Sequence, residues 1–150
     1  MTEIGFYHLT RSPLERALPK LMEKVHASGA RAVVMAGSAE RVEMLDSVLW
    51  TYDPASFLPH GTRRDGEAPA QPIWITEEDE NPNGARILVL TDGARSAAIS
   101  AFERCLEMFD GNDPVAVEVV RAHWKDYAAE GHTLTYWQQT ERGGWEKKDT

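Results

Sequence analysis

The stretch AVVMAGSAERVEMLDSVL, residues 32–49, carries the two hydrophobic periods that decide the architecture. Ala32 to Ala36 is a short run with no polar residue. Such a run reads as a strand covered on both faces. Gly37 then turns the chain. Ser38 is placed to cap a helix on which Val42, Leu45, Val48 and Leu49 recur at helical spacing. A buried strand feeding an amphipathic helix through a short turn is the building unit of a layered α/β sheet.

The same unit stands upstream. Residues 3–9, EIGFYHL, are short and bulky and predict a second buried strand. Ser12, Pro13 and Glu15 predict a capped helix start, with Leu14, Leu18, Leu21, Met22 and Val25 on one stripe and Gly29 at its end. Pro19 predicts a kink or an early break. Downstream, residues 61–72 are rich in glycine, proline and charge, hence loop. Ile73–Thr76 and Ile87–Leu90 predict strands, separated by an acidic turn over 77–84. Residues 94–110 fit two patterns, a helical start at Ala97, Ala98 and Ala101 or a strand over Cys105–Phe109. Asp113 and Pro114 open a helix that Gly131 closes, and Thr133–Thr140 is β-prone. With no internal repeat and no dividing linker, the expectation is one α/β domain over residues 1–142. It has a mostly parallel central sheet, Rossmann-like, and a mobile tail over 143–150.

The 150 residues are 42% hydrophobic and 27% charged, as in ordinary globular chains, and the net charge is −8. Broad electrostatic binding to a phosphate backbone needs lysine and arginine in bulk, so a direct DNA-binding role is disfavoured. Cys105 is the single cysteine, so no intramolecular disulfide can form and a reducing cytoplasm is the expected compartment. The start, MTEIGFYHLT, lacks the charged and apolar regions of a signal peptide, and no apolar run reaches the ~20 residues of a membrane span.

Folds of this class often bind nucleotides. A phosphate loop needs clustered glycines and a lysine. After the first strand this chain reads HLTRSPLER, and after the second AGSAERVEM, and neither matches. No backbone nest with a lysine is encoded, so ATP, GTP and NAD binding is not expected. Ser38 is better read as a helix cap, Asp92-Gly93 as a turn and Cys105 as a core thiol. The five histidines show no ligand spacing for zinc. Neither a cofactor nor a metal is expected.

Two surfaces stand out instead. On the late helix, Arg121 and Lys125 share a face with Trp124 beside them. Cations next to an aromatic suit an acidic peptide with a hydrophobic end; the simpler reading of the pattern alone is an amphipathic helix with Trp124 in the core and the cations solvated. In LDSVLWTYDPASFLPHG, residues 45–61, apolar residues continue past the helix through Pro54 and Pro59. Helix periodicity cannot bury them all. Stiff, aromatic and displayed, Trp50, Phe57, Leu58 and Pro59 fit an interface; the bland reading is a loop folded back on the sheet.

LDSVLWTYDPASFLPHG, the opening FYHL, ARILVLTDGA and WKDYAAEGHTLTYWQQ together resemble the chi subunit of bacterial DNA polymerase III, a clamp-loader accessory protein, over nearly the whole chain. The resemblance implies an α/β fold without a phosphate loop and a non-catalytic role at the replication fork in the cytoplasm. Its implied partner is the acidic C-terminal tail of single-stranded-DNA-binding protein, ending in proline and phenylalanine and held by Arg121, Trp124 and Lys125. DNA would be reached only through that protein. A lysine found one turn earlier in some members is replaced by Val117 here. It also implies a second interface at Trp50, Phe57 and Pro59 for the psi subunit or an equivalent clamp-loader protein. The alternative from another class is a nucleotide-binding enzyme on the same fold.

Overall fold

The computed structural model describes residues 2–148. A single sheet contains β1 (Glu3–Leu9), β2 (Ala32–Met35), β3 (Ile73–Thr76), β4 (Ile87–Leu90), β5 (Arg104–Asp110), β6 (Thr133–Gln139) and β7 (Trp145–Lys148). The order is β3-β2-β4-β5-β1-β6-β7, and only β6–β7 is antiparallel. The helices are α1 (Leu14–Ala27), α2 (Ala39–Thr51) and α3 (Pro114–Ala129).

Strand alternation sorts the core into two layers. Tyr7, Leu9, Val34, Val89, Leu106 and Met108 meet α1 and α2 on one face. Ile4, Phe6, Val33, Leu88, Cys105 and Phe109 meet α3 on the other. The central strands are apolar on both sides because both sides are covered, the condition a parallel sheet requires. Residues 94–110 resolve into a short 3₁₀ turn, Ile99–Ala101, followed by β5. Residues 104–110 pair with β1 on one side and β4 on the other and bury Cys105, Leu106, Met108 and Phe109, so sheet pairing and burial prevail over the small-residue helical signal.

Caps divide the two helix predictions. Ser38 caps α2 by accepting from the Arg41 N–H at 3.2 Å. Ser12 does not cap α1: Pro13 occupies the N-cap position, and the Ser12 hydroxyl instead accepts from Gln139 Nε2 at 2.6 Å. Nor does Pro19 break α1, which runs through it. The proline removes one backbone bond, while buried Leu18, Leu21, Met22 and Val25 hold the turns on either side.

Where the sequence suggests a mobile tail from Gly143, Trp145–Lys148 pairs with β6. The anchor is aromatic. Trp145 meets the edge of Tyr7 at 5.0 Å between ring centroids, and Trp137 stacks on the same ring at 6.0 Å. Lys147 and Lys148 place charge on this outer strand, which discourages edge-to-edge pairing. Asp149 and Thr150 lie outside the described residues.

Candidate interaction surfaces

α3 presents the first surface. Asp113 caps it by accepting from the Val115 N–H at 3.0 Å, and Pro114 fills the first turn. Val120, His123 and Tyr127 form its buried stripe. That stripe turns Arg121 and Lys125 to solvent and leaves Trp124 half-buried, its ring tilted over core Phe6 at 4.9 Å. Among the described residues neither cation has an ion-pair partner, whereas Arg95 on the neighbouring loop pairs with Asp126 at 2.8 Å. Val117 stands one turn before Arg121, partly buried against the same core.

β6 completes this surface. Leu134 and Tyr136 are partly buried on the α3 side of the sheet. Burial raises the Tyr136 phenol, and the Arg121 charge partly offsets that rise. The sequence reading misses Leu134 and Tyr136, although their i, i+2 spacing in TLTYWQQ carries the signal.

Beneath it lies a buried polar group. Glu107, 1% exposed in the middle of β5, faces α3. Its carboxylate contacts His123 Nδ1 at 2.8 Å and accepts from the Tyr127 hydroxyl at 3.3 Å. Burial, then the Glu107 charge, pushes the Tyr127 phenol upward and also holds the Cys105 thiol well above its ordinary value. Cys105 is 1% exposed and is a core residue.

The second surface is the end of α2 and the loop after it. Leu45 and Leu49 point into the core, which turns Trp50 outward, 52% exposed, and Phe57 is 70% exposed. Their rings lie 5.8 Å apart. The loop is fastened at several points. Tyr52 donates to Glu23 of α1 at 2.7 Å, and Asp53 closes an Asx turn by accepting from the Ala55 N–H at 2.9 Å. His60 Nδ1 donates to the Leu58 carbonyl at 2.7 Å, and Nε2 faces Asp46 of α2 at 3.1 Å without aligned hydrogen-bond geometry. Desolvation raises the Asp46 carboxyl and His60 opposes the rise. The His60 ring supports Trp50 from below at 4.8 Å.

Leu58 departs from expectation. It is 2% exposed and packs among the α1 and α2 side of the core, so it holds the loop down rather than lining its surface. Pro59 is partly buried. Leu58→Ala is therefore expected to destabilise by about 2–5 kcal/mol. Trp50→Ala should cost well under the ~3–5 kcal/mol of a core aromatic. Denaturant midpoints of the two variants check this, and equal losses would contradict the assignment.

A cavity of about 650 Å³ lies elsewhere, at the carboxyl ends of β1 and β5, lined among others by Thr10, Arg11, Ser12, Asn112 and Val119. Its charged side chains are engaged internally. Arg41 contacts Asp92 at 3.0 Å and Glu15 at 3.6 Å, and Asp92 also accepts from the Gly37 N–H at 3.1 Å. The Asp92-Gly93 turn has positive φ at both residues, 57° and 76°. Among the described residues no group of three or more potential metal ligands is assembled, and no helix is long and apolar enough to cross a membrane.

The family described as DNA polymerase III chi subunit, HolC, matches residues 1–135. A relative from Rickettsia prowazekii (strain Madrid E), named probable DNA polymerase III subunit chi, is 33% identical over 109 residues. That match covers 73% of this chain and 66% of the relative's length. The family match includes β1 through β5, α3 and the start of β6, hence both surfaces except Tyr136, which lies just beyond it. On that shared sequence and on a sheet built as the family resemblance implied, the chain belongs to the DNA polymerase III chi subunit family.

Proposed function

We propose that this chain is a non-catalytic accessory subunit of DNA polymerase III, active in DNA replication in the bacterial cytoplasm. Its α3 surface links the clamp loader to the acidic C-terminal tail of single-stranded-DNA-binding protein. The observation that carries the reading is a pair of exposed cations, Arg121 and Lys125, without ion-pair partners among the described residues. They share one face of α3 beside half-buried Trp124 in a chain of charge −8. A carboxylate meets a charged donor there, and an apolar terminal side chain finds the Trp124, Leu134 and Tyr136 surface. Capture of the chain by an immobilised acidic peptide ending in Pro-Phe tests it. Capture is expected with that peptide and not with one lacking the terminal pair; equal capture by both would contradict the site.

The Trp50–Phe57 patch, edged by Pro59 over buried Leu58, is the proposed docking surface for psi or an equivalent clamp-loader protein. Because the loop is already fastened to α1 and α2, little ordering entropy is lost on docking. Trp50→Ala is expected to abolish that association while leaving tail-peptide capture intact. A reconstituted clamp-loader pull-down reads both. Loss of both activities together would mean that Trp50 acts through the fold. The proposed chi-like domain takes in residues 1–142 together with β7, and DNA is engaged only through the binding protein.

A further inference from the structure

We infer that Gln139 is a built-in occupant of an anion nest in the β1–α1 loop, and that its side-chain oxygen is what keeps phosphate out of this fold. The backbone N–H groups of Thr10, Arg11 and Ser12 all donate to Gln139 Oε1, at 3.3, 2.9 and 3.0 Å. Successive N–H groups converging on one point make a concavity suited to an oxyanion. Convergence of donors also fixes the amide orientation, since only the oxygen can accept from them. The Gln139 nitrogen donates to the Ser12 hydroxyl at 2.6 Å, and the Thr10 hydroxyl donates to the Gln139 carbonyl at 3.0 Å. Gln139 is 5% exposed.

The position is the one at which a sheet of this kind binds ligands. β1 and β5 are neighbours whose connections leave toward opposite faces, β1 into α1 and β5 into α3. The crevice outside the carboxyl ends at such a point is the general ligand site of open α/β sheets. The 650 Å³ cavity lies there and shares Thr10, Arg11 and Ser12 with the nest. On the other side, Arg11, paired with Glu141 at 3.2 Å, lines with Arg142 and Glu146 a second opening that includes Gln139 itself. Converging donors and space are present, and the acceptor is supplied from the end of β6. The absence of a glycine-rich loop is thus only part of why no phosphate site is expected; a nest exists, and the chain's own amide fills it. The same contact straps β6 to the start of α1, which places it outside both partner surfaces.

The test is a titration with inorganic phosphate, following the backbone amide resonances of Thr10, Arg11 and Ser12. In the wild-type chain these amides should show no saturable shift. In Gln139→Ala they should shift saturably and together, with a dissociation constant in the millimolar range. Gln139→Glu puts a carboxylate in the same place. It should exclude phosphate, unfold at a denaturant concentration at least equal to wild type at pH 7, and lose more stability than wild type on acidification as its carboxylate is protonated. Saturable binding by the wild-type chain, or a folded Gln139→Ala that does not respond, overturns the inference. Should Gln139→Ala fail to fold, Gln139→Glu decides. A carboxylate variant less stable than wild type at pH 7 would show that the three N–H groups do not form an anion nest.

Discussion

Glu107→Ala is expected to lower stability by about 2–5 kcal/mol, because two buried polar partners lose their acceptor at about 1–3 kcal/mol each. That is a large part of the ~5–15 kcal/mol that holds a domain of this kind together. The carboxylate lies in the central strand β5, opposite Phe6 of β1 and Leu90 of β4, where water does not reach it. Without it, His123, 5% exposed, and the Tyr127 hydroxyl are left in an apolar layer with no acceptor. Gln at the same position keeps the volume and an acceptor for Tyr127, so it should cost less than Ala. Denaturant unfolding with the α3 helix signal as probe measures both. A loss for Glu107→Ala within ~0.5 kcal/mol, the range of surface substitutions, would contradict a structural role for the pair. The consequence reaches function because His123 sits in α3 between Arg121 and Trp124: the buried pair beneath the helix fixes the angle at which the proposed tail site is presented.

Arg121→Ala should leave stability nearly unchanged, because the side chain is exposed and has no ion-pair partner among the described residues. Its effect should fall on the tail peptide instead. A charge-assisted hydrogen bond to a carboxylate contributes roughly 1.5–3 kcal/mol, so affinity should drop about ten- to a hundredfold. The starting affinity is expected on the order of micromolar, about −8 kcal/mol. Two features keep it modest. Val117 supplies no charge one turn before Arg121, and the net charge of −8 opposes an acidic ligand. Binding should weaken further as salt screens the exposed cations. Calorimetric titration at two ionic strengths checks both the size of the Arg121 loss and its salt dependence.

The parallel core is legible in the sequence because its strands are short, apolar runs and its helices carry stripes at the helical period. Trp50 and Phe57 are legible as displayed residues for a related reason: they follow Leu49, at a position where helix periodicity has no further inward face to give. Leu58 is not, because a loop has no period and the core that receives its side chain is built from residues distant in sequence. The tail lacks a local signal. WEKK is polar apart from Trp145, and only Tyr7, far away in sequence, gives that ring a place. Ser12 shows the same limit. Its neighbourhood has the form of a helix cap, but a long-range amide from Gln139 takes the hydroxyl. Glu107 is the sharpest case. A glutamate inside CLEMF breaks the apolar pattern, and its partners His123 and Tyr127 lie on an element whose packing against β5 no local pattern reveals.

The measurement that bears most directly on the proposed function is a double-mutant cycle between Arg121 and the terminal carboxylate of an acidic peptide ending in Pro-Phe. Four titrations are needed: wild type and Arg121→Ala, each with the free-acid peptide and with the same peptide amidated at its C-terminus. Amidation should cost wild type about as much as Arg121→Ala does. It should cost the variant little more, since both changes remove one contact and their effects cannot add. If the two losses sum instead, Arg121 does not hold the carboxylate, and the α3 surface does not grip the tail by its terminus in the way proposed.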